Sequence, residues 1–227
     1  MPKVNDVYFE EKRKQILDAA FRACMNKPLY EVTMKDIIEE TGFSQGGIYR
    51  YYNNIHEIFF ALVDRKTKDN CLREKTDEIL EYGVPEQIMA GLIELIFLDT
   101  VGDVGKILFE LSVTFANDPE LYANFCEQVK ITADEAYLFE KSAAFVAAKI
   151  EDGYFEPIAP ISDVLALLVA TIDGIKRDVI MTKYYKIKSY MPEFDMPKLS
   201  KLLTKQLILA LGGDLKKINQ LEKSNND

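Results

Sequence analysis

The sequence predicts an all-α fold, with a small N-terminal three-helix head followed by a larger helical body. Apolar residues recur at three- and four-residue spacing almost throughout the 227 residues, the spacing that one buried face of a helix requires. Gly and Pro are sparse and well separated, so long stretches run without a helix breaker. No segment shows the period-two alternation of strands, a turn-spaced meander or a repeat of fixed length. An apolar share of 48% beside 29% charged residues fits a packed core rather than a disordered chain.

The elements follow in order. From about Phe9 to Asn26, Ile16, Ala20 and Cys24 fall at i+4, as do Leu17, Phe21 and Met25, and Pro28 ends that helix. Thr33 is placed to cap a second helix, with Asp36 three residues on completing a capping-box pair. This helix carries Ile37 and Ile38 and stops at Gly42, where a left-handed backbone meets no Cβ penalty. Ser44 caps a short third helix bearing Ile48, Tyr49 and Tyr52. Asn53-Asn54 breaks it, and Asn54 caps a long fourth helix through Ile58, Leu62 and beyond. After Tyr82-Gly83 the periodicity predicts helices over about 85–100, 103–117, 119–152, 160–189 and 195–220. The polar tail from Lys216 is expected to fray.

Two short helices joined by a Gly-containing turn form a helix-turn-helix, the arrangement that sets one helix into the major groove of DNA. Met34, Ile37, Ile38, Phe43, Ile48 and Tyr52 supply the apolar contacts between its helices. Facing outward on the third helix are Ser44, Gln45, Gly46, Gly47, Tyr49, Arg50 and Tyr51. Their hydroxyl, amide, guanidinium and phenol groups suit phosphates and base edges. Gly46 and Gly47 each weaken a helix by roughly 1 kcal/mol relative to Ala, which close approach of backbone to DNA would offset.

The run Thr33, Asp36, Ile37, Gly42, Phe43, Ser44, Gly46, Ile48, Tyr49, Tyr51 and Tyr52 resembles the TetR family of regulators, the likeness covering about residues 10–63. The resemblance implies that the third helix enters the major groove and that Thr33 and Lys35 meet phosphates. It implies too that Tyr49 and Tyr51 reach phosphates or thymine methyls, while Gln45 and Arg50 read bases. Where the family commonly opens the fourth helix with a phosphate-touching lysine, this chain has Ile55. His56 or Asn54 is then expected to take over, helped by the helix N-terminus.

In the body the resemblance extends to layout only. It implies that the last two long helices pair with their copies in a homodimer, which would present two heads to successive turns of a palindrome. Val164, Leu167, Leu168, Ile172, Ile175 and Val179 form one apolar face, and Leu199, Leu202, Leu203, Leu207 and Leu211 another. The expected interface residues are Val164, Leu168, Ile172, Ile175, Leu199, Leu203 and Leu207. A largely apolar effector pocket is expected among the middle helices, around Met89, Ile93, Phe97, Phe109, Glu110, Phe115, Phe125 and Tyr137. Glu110 stands in the apolar run KILFELSVTF. If buried, it needs a cation from the protein or the ligand; a place on the helix surface is the alternative.

These expectations define a ligand-responsive transcriptional repressor, with residues 1–63 binding operator DNA and residues 64–227 binding effector and dimerising. Residues 1–65 carry nine Lys+Arg against ten Asp+Glu, and the remainder nineteen against twenty-seven. The near-neutral head is thus the part compatible with a local basic face on DNA. No enzyme or cofactor is expected: there is one His, no Gly-x-Ser-x-Gly elbow, no phosphate loop and no ligand-spaced Cys/His cluster. A second reading is a thiol-based redox regulator with the same head, switched through Cys71 or Cys126. No window reaches the roughly 18 apolar residues of a membrane span, the N-terminus lacks a signal-peptide pattern, and a bacterial cytoplasmic location is expected.

Overall fold

A computed structural model describes residues 4–68, 70–100, 102–186 and 195–214. Its helices are α1 (Val4–Asn26), α2 (Met34–Thr41), α3 (Gln45–Tyr49), α4 (Ile55–Thr67), α5 (Leu72–Glu81) and α6 (Pro85–Thr100), with a 3-10 turn at Leu29–Glu31. They continue as α7 (Asp103–Phe115), α8 (Pro119–Gln128), α9 (Lys130–Glu151), α10 (Ile161–Tyr185) and α11 (Met196–Ala210). Among the described residues there is no strand. The all-α expectation therefore holds, while the expected helix ends beyond 186 and 214 and the polar tail lie outside the described residues.

Local chemistry sets the early boundaries. Thr33 and Asp36 form a reciprocal capping box: the Thr33 backbone N–H donates to Asp36 Oδ2 (2.7 Å), and the Asp36 N–H donates to Thr33 Oγ1 (3.4 Å). Gly42 ends α2 at φ +68°. Ser44 accepts from the Gly47 N–H and Asn54 from the Glu57 N–H, opening α3 and α4.

Two expected long helices are each divided. The fourth stops at Thr67 and resumes as α5 after Cys71, which takes a left-handed conformation (φ +49°). The intervening Asp69-Asn70 are poor helix formers. The stretch expected over 119–152 breaks at Val129, whose backbone is extended (φ −109°, ψ 113°). The break sends the Lys130 N–H to the Asp64 carboxylate on α4 at 3.2 Å, which satisfies one of the orphan donors at the start of α9. At the other end, α1 begins at Val4, earlier than the apolar periodicity indicates.

The chain divides into two units, residues 1–69 with 103–133 and residues 70–102 with 134–227. In the first, α1 packs on α2 and α4, and α7 packs on α4 and the 3-10 turn. Its core includes Ile16, Ala20, Cys24, Ile37, Ile48, Ile58, Leu62, Ile107 and Leu111. In the second, α6 packs on α5 and α11, around Leu92, Ile93, Phe155, Ile208 and Leu211. The contacts thus place α7 and α8 with the head, whereas a cut after residue 63 assigns them to the body.

Candidate nucleic-acid interface and ligand cavity

The head presents α3 as the sequence expects. Ile48 and Tyr52 are buried, which turns Ser44, Gln45, Gly46, Tyr49 and Arg50 to solvent, while Gly47 and Tyr51 are half-buried. At the start of α2, Thr33 is exposed and Lys35 has 82% of its side chain exposed. Lys35 pairs with Glu39 at 3.5 Å; a surface pair of this kind is worth about 0–1 kcal/mol, so it yields readily to a phosphate. The Lys27 ammonium lies 2.7 Å from Asp36 and, with the Thr33 hydrogen bonds, holds that carboxyl down at about 2. Asp36 is therefore fixed in its charged, capping form.

The two residues expected to replace the helix-opening lysine have other contacts. Asn54 uses Oδ1 to cap α4, and its Nδ2 donates to Glu57 at 3.4 Å. His56 is half-buried, with its ring edge-on to Phe59 at 6.2 Å, in a recess shared with Leu29, Val32 and Leu111.

One contact set is missed by the sequence reading. The early turns of α1 bring Phe9 against α3, its ring 5.7 Å from that of Tyr51 and 4.6 Å from the Arg50 guanidinium carbon. Lys12 Nζ sits 4.1 Å from the Phe43 ring and 5.6 Å from that of Tyr8. The available signal was the i,i+4 pair Tyr8 and Lys12 beside Phe9, ahead of the apolar stripe.

In the second unit a cavity of about 200 Å³ opens among α6, α9, α10 and α11. Met89 and Ile93, both expected at a pocket, line it with Phe139, Val146, Leu165 and Ser142. Phe97 is buried on the same helix. Tyr137 instead joins a polar group: its hydroxyl donates to Asp77 at 2.7 Å, and Arg73 stacks on its ring while pairing with Asp134 at 2.5 Å. The other expected pocket residues belong to the first unit. Phe115 and Phe125 lie 5.0 Å apart in a cluster with Phe60 and Tyr122, and Phe109 is half-buried on α7.

The Glu110 side chain is largely out of water, and the protein itself supplies the cation. Lys106 Nζ lies 2.6 Å from Glu110 Oε1, with 4% and 9% of the two side chains exposed. Glu110 also accepts the Leu29 N–H.

The expected dimer face is only partly outward in the single chain. Val164, Ile172, Leu203 and Leu207 are buried within this chain, and Leu168, Ile175 and Leu199 are half-buried. Leu168 and Leu207 line the cavity. Both helices are apolar on more than one side, and α11 lays that face on α6 and α10. The large apolar residues left outward on them are Leu167 (69% exposed), Leu202 (52%), Leu209 (49%) and Val169 (46%), the last also at the cavity.

Cys24 is buried, which pushes its thiol up to about 12 and makes it inert rather than reactive. Cys71 is exposed and Cys126 half-buried, both as free thiols. Nothing in their surroundings or in the relatives below supports the redox alternative. Among the described residues no helix is long and apolar enough to cross a membrane.

A capped α2–turn–α3 pair with a polar outer face, seated on α1 and α4, defines a helix-turn-helix DNA-binding protein. Residues 16–62 match the family model described as bacterial regulatory proteins, tetR family. The chain is 25% identical over 181 residues to the uncharacterized HTH-type transcriptional regulator YfiR of Bacillus subtilis, covering 79% of this chain and 85% of YfiR. It is 33% identical over 94 residues to the HTH-type transcriptional regulator TtgR of Pseudomonas putida, covering 40% of this chain and 45% of TtgR. The fold is similar to that of the TetR-family regulator PfmR from Thermus thermophilus, with a TM-score of 0.59, 15% identity and coverage of 87% and 97% of the two chains. Residues 16–62 thus carry the DNA-binding module of the tetR family of bacterial regulatory proteins.

Proposed function

We propose that this regulator is a repressor that binds palindromic operator DNA as a homodimer and leaves it when a small, largely apolar effector enters the body. The observation that carries the reading is the two-sidedness of α3, with Ile48 buried and Gln45, Gly46, Tyr49 and Arg50 outward. Gln45 and Arg50 have the bidentate groups suited to base edges; Thr33, Lys35, Tyr49 and Tyr51 suit phosphates. Residues 1–63 form the DNA-binding part of this scheme and 64–227 the effector-binding and dimerising part. The protein acts where its DNA is, in the cytoplasm.

The cavity supports an uncharged, lipophilic effector. Its lining is aliphatic and aromatic apart from the Ser142 hydroxyl, and a charged group there would lack a partner among the residues that line it. Outward Leu167, Leu202 and Leu209 support dimerisation through α10 and α11, since exposed leucines gathered on adjoining helices favour burial by a second copy. Effector acts by population shift. Moving the operator-competent fraction from about 99:1 to 1:99 takes roughly 5.5 kcal/mol of preference for the released form, shared by two cavities. The coupling is reciprocal, so operator must weaken effector binding by the same factor.

Gly46→Ala tests the reading. A Cβ at Gly46 meets nothing within 4 Å, so alanine keeps the fold and stabilises α3 by up to about 1 kcal/mol. Against DNA the added methyl pushes the helix backbone away, and operator affinity is expected to fall at least tenfold in a fluorescence-anisotropy titration. Unchanged affinity in a variant of undiminished thermal stability would remove this face of α3 from the DNA contact.

A further inference from the structure

We propose that the first turns of α1 are part of the DNA reader, with Phe9 acting as a positioning residue that holds the Arg50 guanidinium ready for DNA. The inference rests on the DNA-binding reading of α3 and extends it to residues N-terminal to the family match, which begins at residue 16. α1 begins at Val4, three turns before that match. Those turns carry Phe9 to the recognition helix, where its ring packs 5.7 Å from Tyr51 and lies under Arg50 at 4.6 Å. Beside it, Lys12 stands 4.1 Å from the ring of Phe43, the residue at the helix-turn-helix turn. Two cations and three aromatic rings thus tie α1 to the turn and the outer side of α3.

The physical role follows from the chemistry of the guanidinium. A free arginine at an exposed position samples many rotamers, and most of that freedom is lost when it binds a base or phosphate. Stacking on an aromatic ring restricts the side chain beforehand. A guanidinium held over a ring can offer it the π-face, which leaves the in-plane N–H donors suited to a guanine edge or a phosphate. The neighbouring Tyr51 ring, 5.7 Å away, and the helical backbone of α1 restrict the Phe9 ring itself. Lys12, held over Phe43, adds a positive charge on the same side, where it suits the phosphate backbone.

A double-mutant cycle on the full-length protein tests this, using the duplex that wild-type protein selects from a randomised library. Phe9→Leu is expected to weaken binding about two- to fivefold, the range of an exposed cation–π contact. Phe9→Tyr should retain wild-type affinity. In an Arg50→Ala background, Phe9→Leu should have no further effect, and it should relax base preference at the same operator position as Arg50→Ala does. Equal weakening by Phe9→Leu with and without Arg50 would overturn the proposal, because the ring would then act through the fold alone. Unchanged or tighter binding by Phe9→Leu would also overturn it, the latter by showing that the ring sequesters Arg50. If the wild-type protein selects no duplex, the DNA reading of α3 falls and takes this inference with it; the other results concern Phe9 alone.

Discussion

Replacing Lys106 by methionine is expected to destabilise the folded protein by about 3–5 kcal/mol, the usual cost of stripping one partner from a buried ion pair. Lys106 and Glu110 lie one turn apart on α7, almost wholly out of water, with their charged atoms 2.6 Å apart. The pair is also a connector. Lys106 Nζ donates to the backbone carbonyls of Cys24 (2.7 Å) and Lys27 (3.4 Å) at the C-terminal end of α1, where helix carbonyls lack partners and a cation is favoured. Glu110 in turn takes the N–H of Leu29, just ahead of the helix-turn-helix. Methionine fills the space of the lysine stem but leaves the Glu110 carboxylate buried without that cation. Adding Glu110→Gln removes the charge and keeps an acceptor for Leu29, so the double variant should recover most of the loss. Urea unfolding of the single and double variants checks both statements. A cost below about 1 kcal/mol for Lys106→Met, the range of surface pairs, would mean that water replaces the lysine and that the α7–α1 link is weak.

Gly212→Ala is expected to cost about 2–5 kcal/mol, combining a left-handed backbone with overpacking against main chain. Gly212 sits just past α11 at φ +76°, and a Cβ there would stand 2.1 Å from the Glu156 carbonyl oxygen. That oxygen has little room to retreat. The Ile158 N–H donates to the Ala210 carbonyl at 3.0 Å, pinning the segment after α9 to the end of α11, and the Gly213 N–H closes that end onto Ile208 at 2.8 Å. Gly153 supplies the control, because it has φ +75° and nothing within 4 Å of its added Cβ. Gly153→Ala should show only the backbone part, about 1–2 kcal/mol, and the difference between the two midpoints measures the collision. Because Leu211 lines the cavity, Gly212→Ala should weaken effector binding as well.

The head was legible in the sequence because its signals are local. Thr33 with Asp36, Ser44, Asn54 and Gly42 act on backbone groups within a few residues, and each does so in the structure. The break at Val129 was not legible, since the Lys130 N–H finds Asp64 from 66 positions away. Neither was the fate of Glu110. Periodicity sets it on an apolar helix, but only the fold shows that its own neighbour Lys106 neutralises it beside Leu29. On helices α10 and α11 the sequence leaves the choice of face open for a different reason. Val164, Ile172, Leu203 and Leu207 are as apolar as Leu167, Leu202 and Leu209, so spacing alone does not say which set the chain keeps for itself. The Phe9–Arg50 contact escaped notice because the early turns of α1 lie ahead of its apolar stripe.

Operator recognition by α3 is tested by selection of genomic fragments by the purified full-length protein against random competitor DNA, at two salt concentrations. Fragments bearing a palindrome with half-sites about one helical turn apart should be enriched. Their affinity should fall as salt rises; Arg50→Ala and Gln45→Ala should each weaken and relax the selection, and the two together should abolish the enrichment while leaving the fold intact. No enrichment over competitor at low salt, or enrichment that survives both substitutions, would contradict operator recognition by α3.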